Sequence, residues 1–321
     1  MDLGVIQFAC LAMALFIILL SLSSAVAWRG IRRRTTGLAP ATRAGVLTGV
    51  AFAPLVGAIL LTFAAFGPKL LVPFGFDDHC ASHSGHDHLC MVHAASPKGL
   101  FAWAGVVLMA GLAVVFSAMH IPVALRVRRA RAVLDALGDS SPAGRCRIVP
   151  SDQPFAATIG YLRPDVFMSS ALVNVLEPED AAIVRAHEDA HRSRRDPLRL
   201  ALARVMSLVH FPGVRRQVLS DLALSCEQAA DEVAALGVGD RLRVASVLLA
   251  VERIMGDTLI PGNSISGGAL SARVESLSND PGTMLTRRMA CFLALVVLVC
   301  LGLVSGILHH TVETILSFLT R

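Results

Sequence analysis

Charged side chains are scarce in this chain. Asp, Glu, Lys and Arg make up 17% of its 321 residues, against about 25% in an ordinary soluble domain. That shortage excludes disorder, which goes with high charge and low hydrophobicity, and it excludes a plain cytosolic globule. The seven cysteines contain no C-x-x-C pair and do not form a disulfide framework. Collagen-like periodicity and internal repeats are also missing. What is abundant is apolar surface: hydrophobic residues are 54% of the chain, and the mean hydropathy is +0.63. This is the composition of a membrane protein with a substantial water-soluble part. The net charge is +5. In such a chain an excess of that sign sets membrane topology, and no direct nucleic-acid binding is expected.

Four stretches are long and apolar enough to cross a bilayer, which takes about 20 helical residues. They are Leu3–Trp28, Ala44–Phe66 with a kink expected at Pro54, Leu100–Leu125, and Met289–Leu308. The first differs from a secretory signal peptide: it starts with Asp2, has a longer apolar core, and is followed by Arg29, Arg32, Arg33 and Arg34. Positive charge marks the cytoplasmic side. The loop 29–43 carries five arginines and no acid, whereas the loop 67–99 carries only Lys69 and Lys98 against Asp77, Asp78 and Asp87. Arg126, Arg128, Arg129 and Arg131 follow the third span, and Arg287 and Arg288 precede the fourth. The organisation expected is therefore three transmembrane helices in residues 1–125, a cytoplasmic domain in 126–288, and a fourth helix with a short outer tail in 289–321, with both termini outside.

Within the soluble segment, Cys146–Pro150 and Ala156–Val166 read as short strands or a hairpin, punctuated by Pro154, Gly160 and Pro164. Ser169–Leu176 reads as a short helix or turn. Glu177-Pro178-Glu179-Asp180 is a helix start, with proline in the first turn and acids at the positive end of the dipole. That helix should run to about Arg195 and a second from Pro197 to Val209. A third should cover Val214–Leu236, stopped by Gly237 and Gly239, and a fourth Arg241–Met255. Gly256–Gly268 is glycine-rich and reads as a loop.

The first of these helices contains His187-Glu188-Asp189-Ala190-His191, an H-E-x-x-H. Residues four apart share a helix face, so both imidazoles reach one metal ion. Glu188 projects beside it as a general base that takes a proton from the attacking water. A catalytic zinc takes three protein ligands and keeps one position open. Arg194 and Pro197 stand where a metzincin would extend the motif, so the third ligand must come from elsewhere. Glu227, four residues before Asp231 on the expected third helix, can complete the set, with His210 as its rival. Asp231 can accept a hydrogen bond from a ligand imidazole, and Arg194 and Asp196 can pair at the end of the motif helix. Cys226 reads as a buried small residue. The loop 67–99 holds Cys80, His83, His86, His88, Cys90 and His93, with His79 adjoining. That tract is either a second metal site, for zinc or copper, or one disulfide between Cys80 and Cys90 with solvated histidines.

Together these pieces resemble the membrane zinc metallopeptidases of the BlaR/MecR type, the antirepressor family, which share architecture with the HtpX proteases. The resemblance rests on Pro154-Phe155-Ala156, Gly160-Tyr161-Leu162-Arg163-Pro164, and Ala186 through His191 with Arg194 and Asp196. It continues in Glu227-Gln228-Ala229-Ala230-Asp231 and, more faintly, Arg273-Val274-Glu275-Ser276-Leu277. It implies an α-helical membrane protein carrying a cytoplasmic, mostly helical α+β domain of gluzincin type. Zn2+ would be held by His187, His191 and Glu227, with Glu188 as catalytic base. It also implies a strand near Gly160–Phe167 whose edge takes an extended substrate. The penicillin-binding sensor domain that follows the last span in such sensors has no counterpart in the dozen residues after Leu308, and the Cys/His loop is a second departure.

The reading that follows is a multi-pass protein of the bacterial cytoplasmic membrane, in contact with lipid: a zinc-dependent endopeptidase that relays a signal by cleaving a cytosolic, BlaI-like repressor. The alternatives are an HtpX-like protease for membrane-protein quality control and a non-proteolytic metal-binding sensor or scaffold.

Overall fold

The computed structural model describes residues 3–66, 100–140, 146–256, 266–280, 282, 283 and 311. The fourth expected span, Met289–Leu308, and the Cys/His tract from His79 to His93 lie outside the described residues.

Three helices, α1 (Leu3–Thr35), α2 (Pro40–Phe66) and α3 (Leu100–Leu137), are long and apolar enough to cross a membrane. Each extends beyond its expected span into the basic segments, and the break between α1 and α2 falls at residues 36–39, around Gly37 and just before Pro40. α1 packs on both α2 and α3. Gly105 makes the α1–α3 approach possible: a Cβ there would lie 2.6 Å from the backbone nitrogen of Leu11. Small residues at interfaces are how membrane helices come close. On α2, Ala44, Leu47, Ala51 and Ala58 form a fully buried stripe. Pro54 sits inside α2 and has no N–H to offer the Val50 carbonyl four residues earlier.

α3 runs out into β1 (Asp139–Ser140), which opens a four-stranded sheet with β2 (Cys146–Val149), β3 (Ala156–Ile159) and β4 (Asp165–Ser169). The order is β1-β2-β4-β3. β2 and β4 are parallel, and β3 pairs antiparallel with β4, Thr158 opposite Val166. The hairpin turn needs Gly160, whose φ of +117° is a conformation that a side chain would strain. The expected edge strand near Gly160–Phe167 is thus corrected. That stretch is the turn and the first half of β4, an interior strand, and among the described residues the edges are β1 and β3. Proline at 164 and the glycine conformation at 160 favour a turn there over a continuous strand.

The helices of the soluble part follow. α4 is Ser170–Val175, α5 Pro178–Arg194, α6 Asp196–Met206, α7 Pro212–Val238, α8 Arg241–Gly256 and α9 Ser266–Ser278. A 3-10 turn over Ser207–Val209 joins α6 to α7. Gly237 does not stop α7; Gly239, in the left-handed conformation, does. α9 begins inside the stretch expected to be a loop. Its buried Leu277, with the half-buried Val274, packs into the core beneath the sheet, and such tertiary burial outweighs the poor local propensity of Gly267 and Gly268. That core joins Val166 and Met168 of β4, Leu172 of α4 and Ile183 of α5 to Val244 and Val247 of α8. Truncating a residue as fully enclosed as Leu172 to alanine should cost about 2–5 kcal/mol.

Candidate metal centre

α5 places its two histidines on one face, as the i, i+4 spacing requires. Their Nε2 atoms are 3.1 Å apart. α7 crosses α5 and brings Glu227 to the same point, with Oε2 3.5 Å from His187 Nε2 and Oε1 3.5 Å from His191 Nε2. The three donor atoms lie within 4.8 Å of one another, close enough to share one metal ion. Tetrahedral zinc with ligands about 2.0–2.1 Å away sets donors roughly 3.3 Å apart, and the observed spacings straddle that value. Two imidazole nitrogens and one carboxylate are also a donor set that zinc accepts. The residues fit the ion.

The outer nitrogens of both imidazoles face carboxylates, the arrangement that fixes ring orientation at a metal site. His191 Nδ1 is hydrogen-bonded to Asp196 Oδ2 at 2.9 Å. The local chain explains how. Arg195 adopts the left-handed conformation, φ 53°, and ends α5. The next residue, Asp196, therefore turns back onto the helix that has just finished. It is buried, and Arg194 and Arg199 neutralise it at 3.4 Å and 3.0 Å. On the other side, His187 Nδ1 lies 2.9 Å from Asp231 Oδ1, an ionic contact without hydrogen-bond alignment. Asp231 is itself enclosed and takes two hydrogen bonds from Arg273 of α9, Nε to Oδ2 at 2.8 Å and Nη2 to Oδ1 at 2.7 Å. Arg273 Nη1 also stands 3.2 Å from Glu227 Oε2.

The field at this point favours positive charge. Burial pushes the His191 imidazole towards its neutral form, but Asp196 and Glu227 outweigh it and hold the ring up at about 10. His187 is likewise raised, burial being overcome by Asp231 and Glu227. Burial acts against the charged form of Glu227 too, and the two histidines, with Arg273, pull it well below the ordinary carboxylate range. Its side chain is 38% exposed, so the cluster opens to solvent on that side.

Glu188 has a partner of its own. The Thr158 hydroxyl of β3 stands 2.7 Å from Glu188 Oε2 and 2.8 Å from the Glu188 carbonyl oxygen, and its one hydrogen is shared between them. The free-edge strand and the motif helix are thereby locked together beside the histidine pair.

His187, His191 and Glu227 converge, Glu188 stands beside them, and Asp231, Asp196 and Arg194 surround them. His210 does not join: its ring contacts Val50 O at 3.1 Å and Ser24 Oγ at 3.4 Å, between α1 and α2. Cys226 is fully enclosed, and burial pushes its thiol up to about 11. Two residues escaped the sequence reading of the site. Thr158 had no signal. Arg273 had a faint one, its place at the head of Arg273–Leu277, but no rule of spacing ties it to Asp231, 42 residues earlier.

Residues 98–255 match peptidase family M48, a family of metal-dependent peptidases that usually use zinc. The matched span runs from α3 through α8 and includes His187, Glu188, His191 and Glu227. No curated protein and no solved structure matches the chain.

Proposed function

We propose that this chain is a membrane-embedded zinc endopeptidase whose site faces the cytoplasm and acts on a polypeptide close to the membrane. The observation that carries the reading is the convergence of His187, His191 and Glu227 next to a glutamate held by the free-edge strand. The similarity to peptidase family M48 supports the chemistry, and the arginines at 29–43 and 126–131 support the cytoplasmic side.

His187, His191 and Glu227 would hold the zinc. Bound there, it supplies Lewis acidity for the scissile carbonyl and lowers the pKa of water. The protein supplies the rest. Asp196 and Asp231 orient the two rings. Thr158 occupies Oε2 of Glu188, and Oε1 is the atom we assign to the proton of the attacking water. That proton passes from Glu188 to the leaving amine. Among the described residues β3 pairs with β4 on one edge only, so its other edge can take an extended substrate backbone as an added strand.

For signalling, the substrate is a BlaI-like repressor; for quality control, it is a damaged membrane protein. The Glu188→Ala protein, expressed in its native membrane as a trap, tests the proposal by what co-purifies. A repressor assigns signalling, and membrane polypeptides assign quality control. Wild-type cleavage by a zinc-loaded Glu188→Gln protein would remove Glu188 from the mechanism and leave a metal-binding scaffold.

A further inference from the structure

Side-chain hydrogen bonds tie α1 to the segment that leads into and forms α7. Ser21 Oγ donates to the Val209 carbonyl at 2.8 Å, Trp28 Nε1 to Gln217 Oε1 at 2.7 Å, and Arg32 Nε to Asp221 Oδ2 at 2.7 Å. The partners are 188, 189 and 189 residues apart. Offsets that stay between 186, for Ser24 and His210, and 189 mean that this segment runs parallel to α1, so α1 serves as a ruler for its depth.

Ser21 lies eight residues before Arg29, the first charge after the apolar run, which is about 12 Å at 1.5 Å per residue. α2 gives a second reading. His210 contacts Val50 O, seven residues past Arg43, or roughly 10 Å. α1 and α2 both set the turn about 10 Å inside the arginine belt, within the hydrocarbon of a bilayer about 30 Å thick.

The turn is built for that place. Met206 and Val209 pack against the cluster of Phe8, Phe16 and Leu55 in α1 and α2. Irregular backbone survives at membrane depth only where protein groups satisfy it. Here Ser21 takes the Val209 carbonyl, and the His210 N–H bonds Ser207 O at 3.0 Å. The His210 ring does more. Its Nε2 donates to Val50 O, the carbonyl that Pro54 cannot serve, while Nδ1 faces the Ser24 hydroxyl. The next residue, Phe211, is 46% exposed, and Leu202 on α6 is 37% exposed.

We propose that the α6–α7 turn is a wedge immersed in the bilayer, docked against α2 at the Val50 carbonyl beside Pro54 through His210, with Phe211 against lipid acyl chains. α7 then climbs out beside α1. Glu227 comes six residues after Asp221, the partner of Arg32, so the candidate metal centre sits roughly 9 Å beyond the arginine belt, at the bilayer surface. A substrate would be a polypeptide segment lying at or emerging from that surface. This consequence rests on the peptidase reading, whereas the lipid contact does not.

The test uses the full chain in vesicles of alkyne-tagged phosphatidylcholine. A benzophenone amino acid replaces Phe211, Leu202, Leu19 or Leu236 in turn. Leu19 reports the α1 span, and Leu236, 82% exposed at the far end of α7, reports the soluble side. Irradiation should give lipid adducts at 19, 202 and 211 and none at 236. A wild-type elution volume and circular-dichroism melt show that each variant is folded. Adducts at 19 but at neither 202 nor 211, in folded protein, overturn the wedge. Adducts at none of these positions overturn the spanning reading of α1 and the wedge with it. Neither result touches the peptidase reading, which the Glu188 variants test separately.

Discussion

Arg273 grips Asp231 with two hydrogen bonds from one guanidinium, and the same guanidinium reaches Glu227. One residue from the last described helix thus positions a metal-ligand candidate and the carboxylate behind another. Arg273→Ala should weaken zinc affinity by about 10- to 100-fold, as loss of an orienting group at a metal site does. Arg273→Lys should not restore it, because an ammonium lacks the planar fork. Competition against a zinc chelator measures both. Unchanged affinity in Arg273→Ala would reduce this contact to packing.

His187→Ala and Glu227→Ala should each lose stoichiometric zinc, whereas Glu188→Gln should keep it and lose proteolysis. Metal analysis of purified protein, set beside cleavage of the trapped substrate, separates ligand from base. Full zinc in Glu227→Ala would exclude that carboxylate from the metal.

Thr158→Val removes one hydroxyl at almost constant volume. Glu188 would then lose the bond that fixes Oε2, and kcat should fall by roughly 10- to 100-fold, the scale of a misplaced catalytic group. KM and zinc content should hold, and Thr158→Ser should recover the rate. A matching loss of zinc would instead mean that β3 supports the whole motif helix.

The raised imidazoles make a pH prediction for the chelator-treated protein. His191 at about 10 and His187 above 6.5 bind protons more tightly when folded than when unfolded. Their stabilising contribution is complete below pH 6.5 and disappears as pH rises through about 10. The unfolding temperature of the metal-free protein should therefore decline across that interval. The zinc-loaded protein should not share the decline, because its rings are already neutral. Zinc affinity should rise with pH over the same interval, since zinc must displace those protons. Thermal unfolding in detergent with and without zinc, over a pH series, checks the sign.

Asp221 is nearly buried and holds Arg32 at 2.7 Å and Arg43 at 3.8 Å. Asp221→Asn should lower stability by about 1 kcal/mol. That is less than the loss of a fully buried pair, because Arg32 is half-exposed and water takes over part of the charge. The same variant should loosen α7 from α1 and raise hydrogen exchange along the first half of α7. An unchanged exchange pattern would show that apolar packing alone holds the two helices.

What the sequence determined by itself is whatever depends on short-range spacing and on solvent preference. Apolar runs near 20 residues gave α1, α2 and α3. Pro178 with Glu179 and Asp180 started α5 where expected, and the i, i+4 histidines shared a face. Glu227 and Asp231 were legible because one helix carries both, four residues apart. What only the tertiary structure decided depends on which helices meet. Arg273 reaches Asp231 because α9 packs against α7, and Leu277 and Val274 make α9 a helix despite its glycines. Thr158 meets Glu188 because α5 packs on β3, an edge strand that precedes the Gly160 turn. His210 donates to the Val50 carbonyl because α7 and the turn before it pack along α2, some 160 residues away in sequence. Local propensity acts within a few residues, whereas burial and charge pairing act between elements that the chain brings together only on folding.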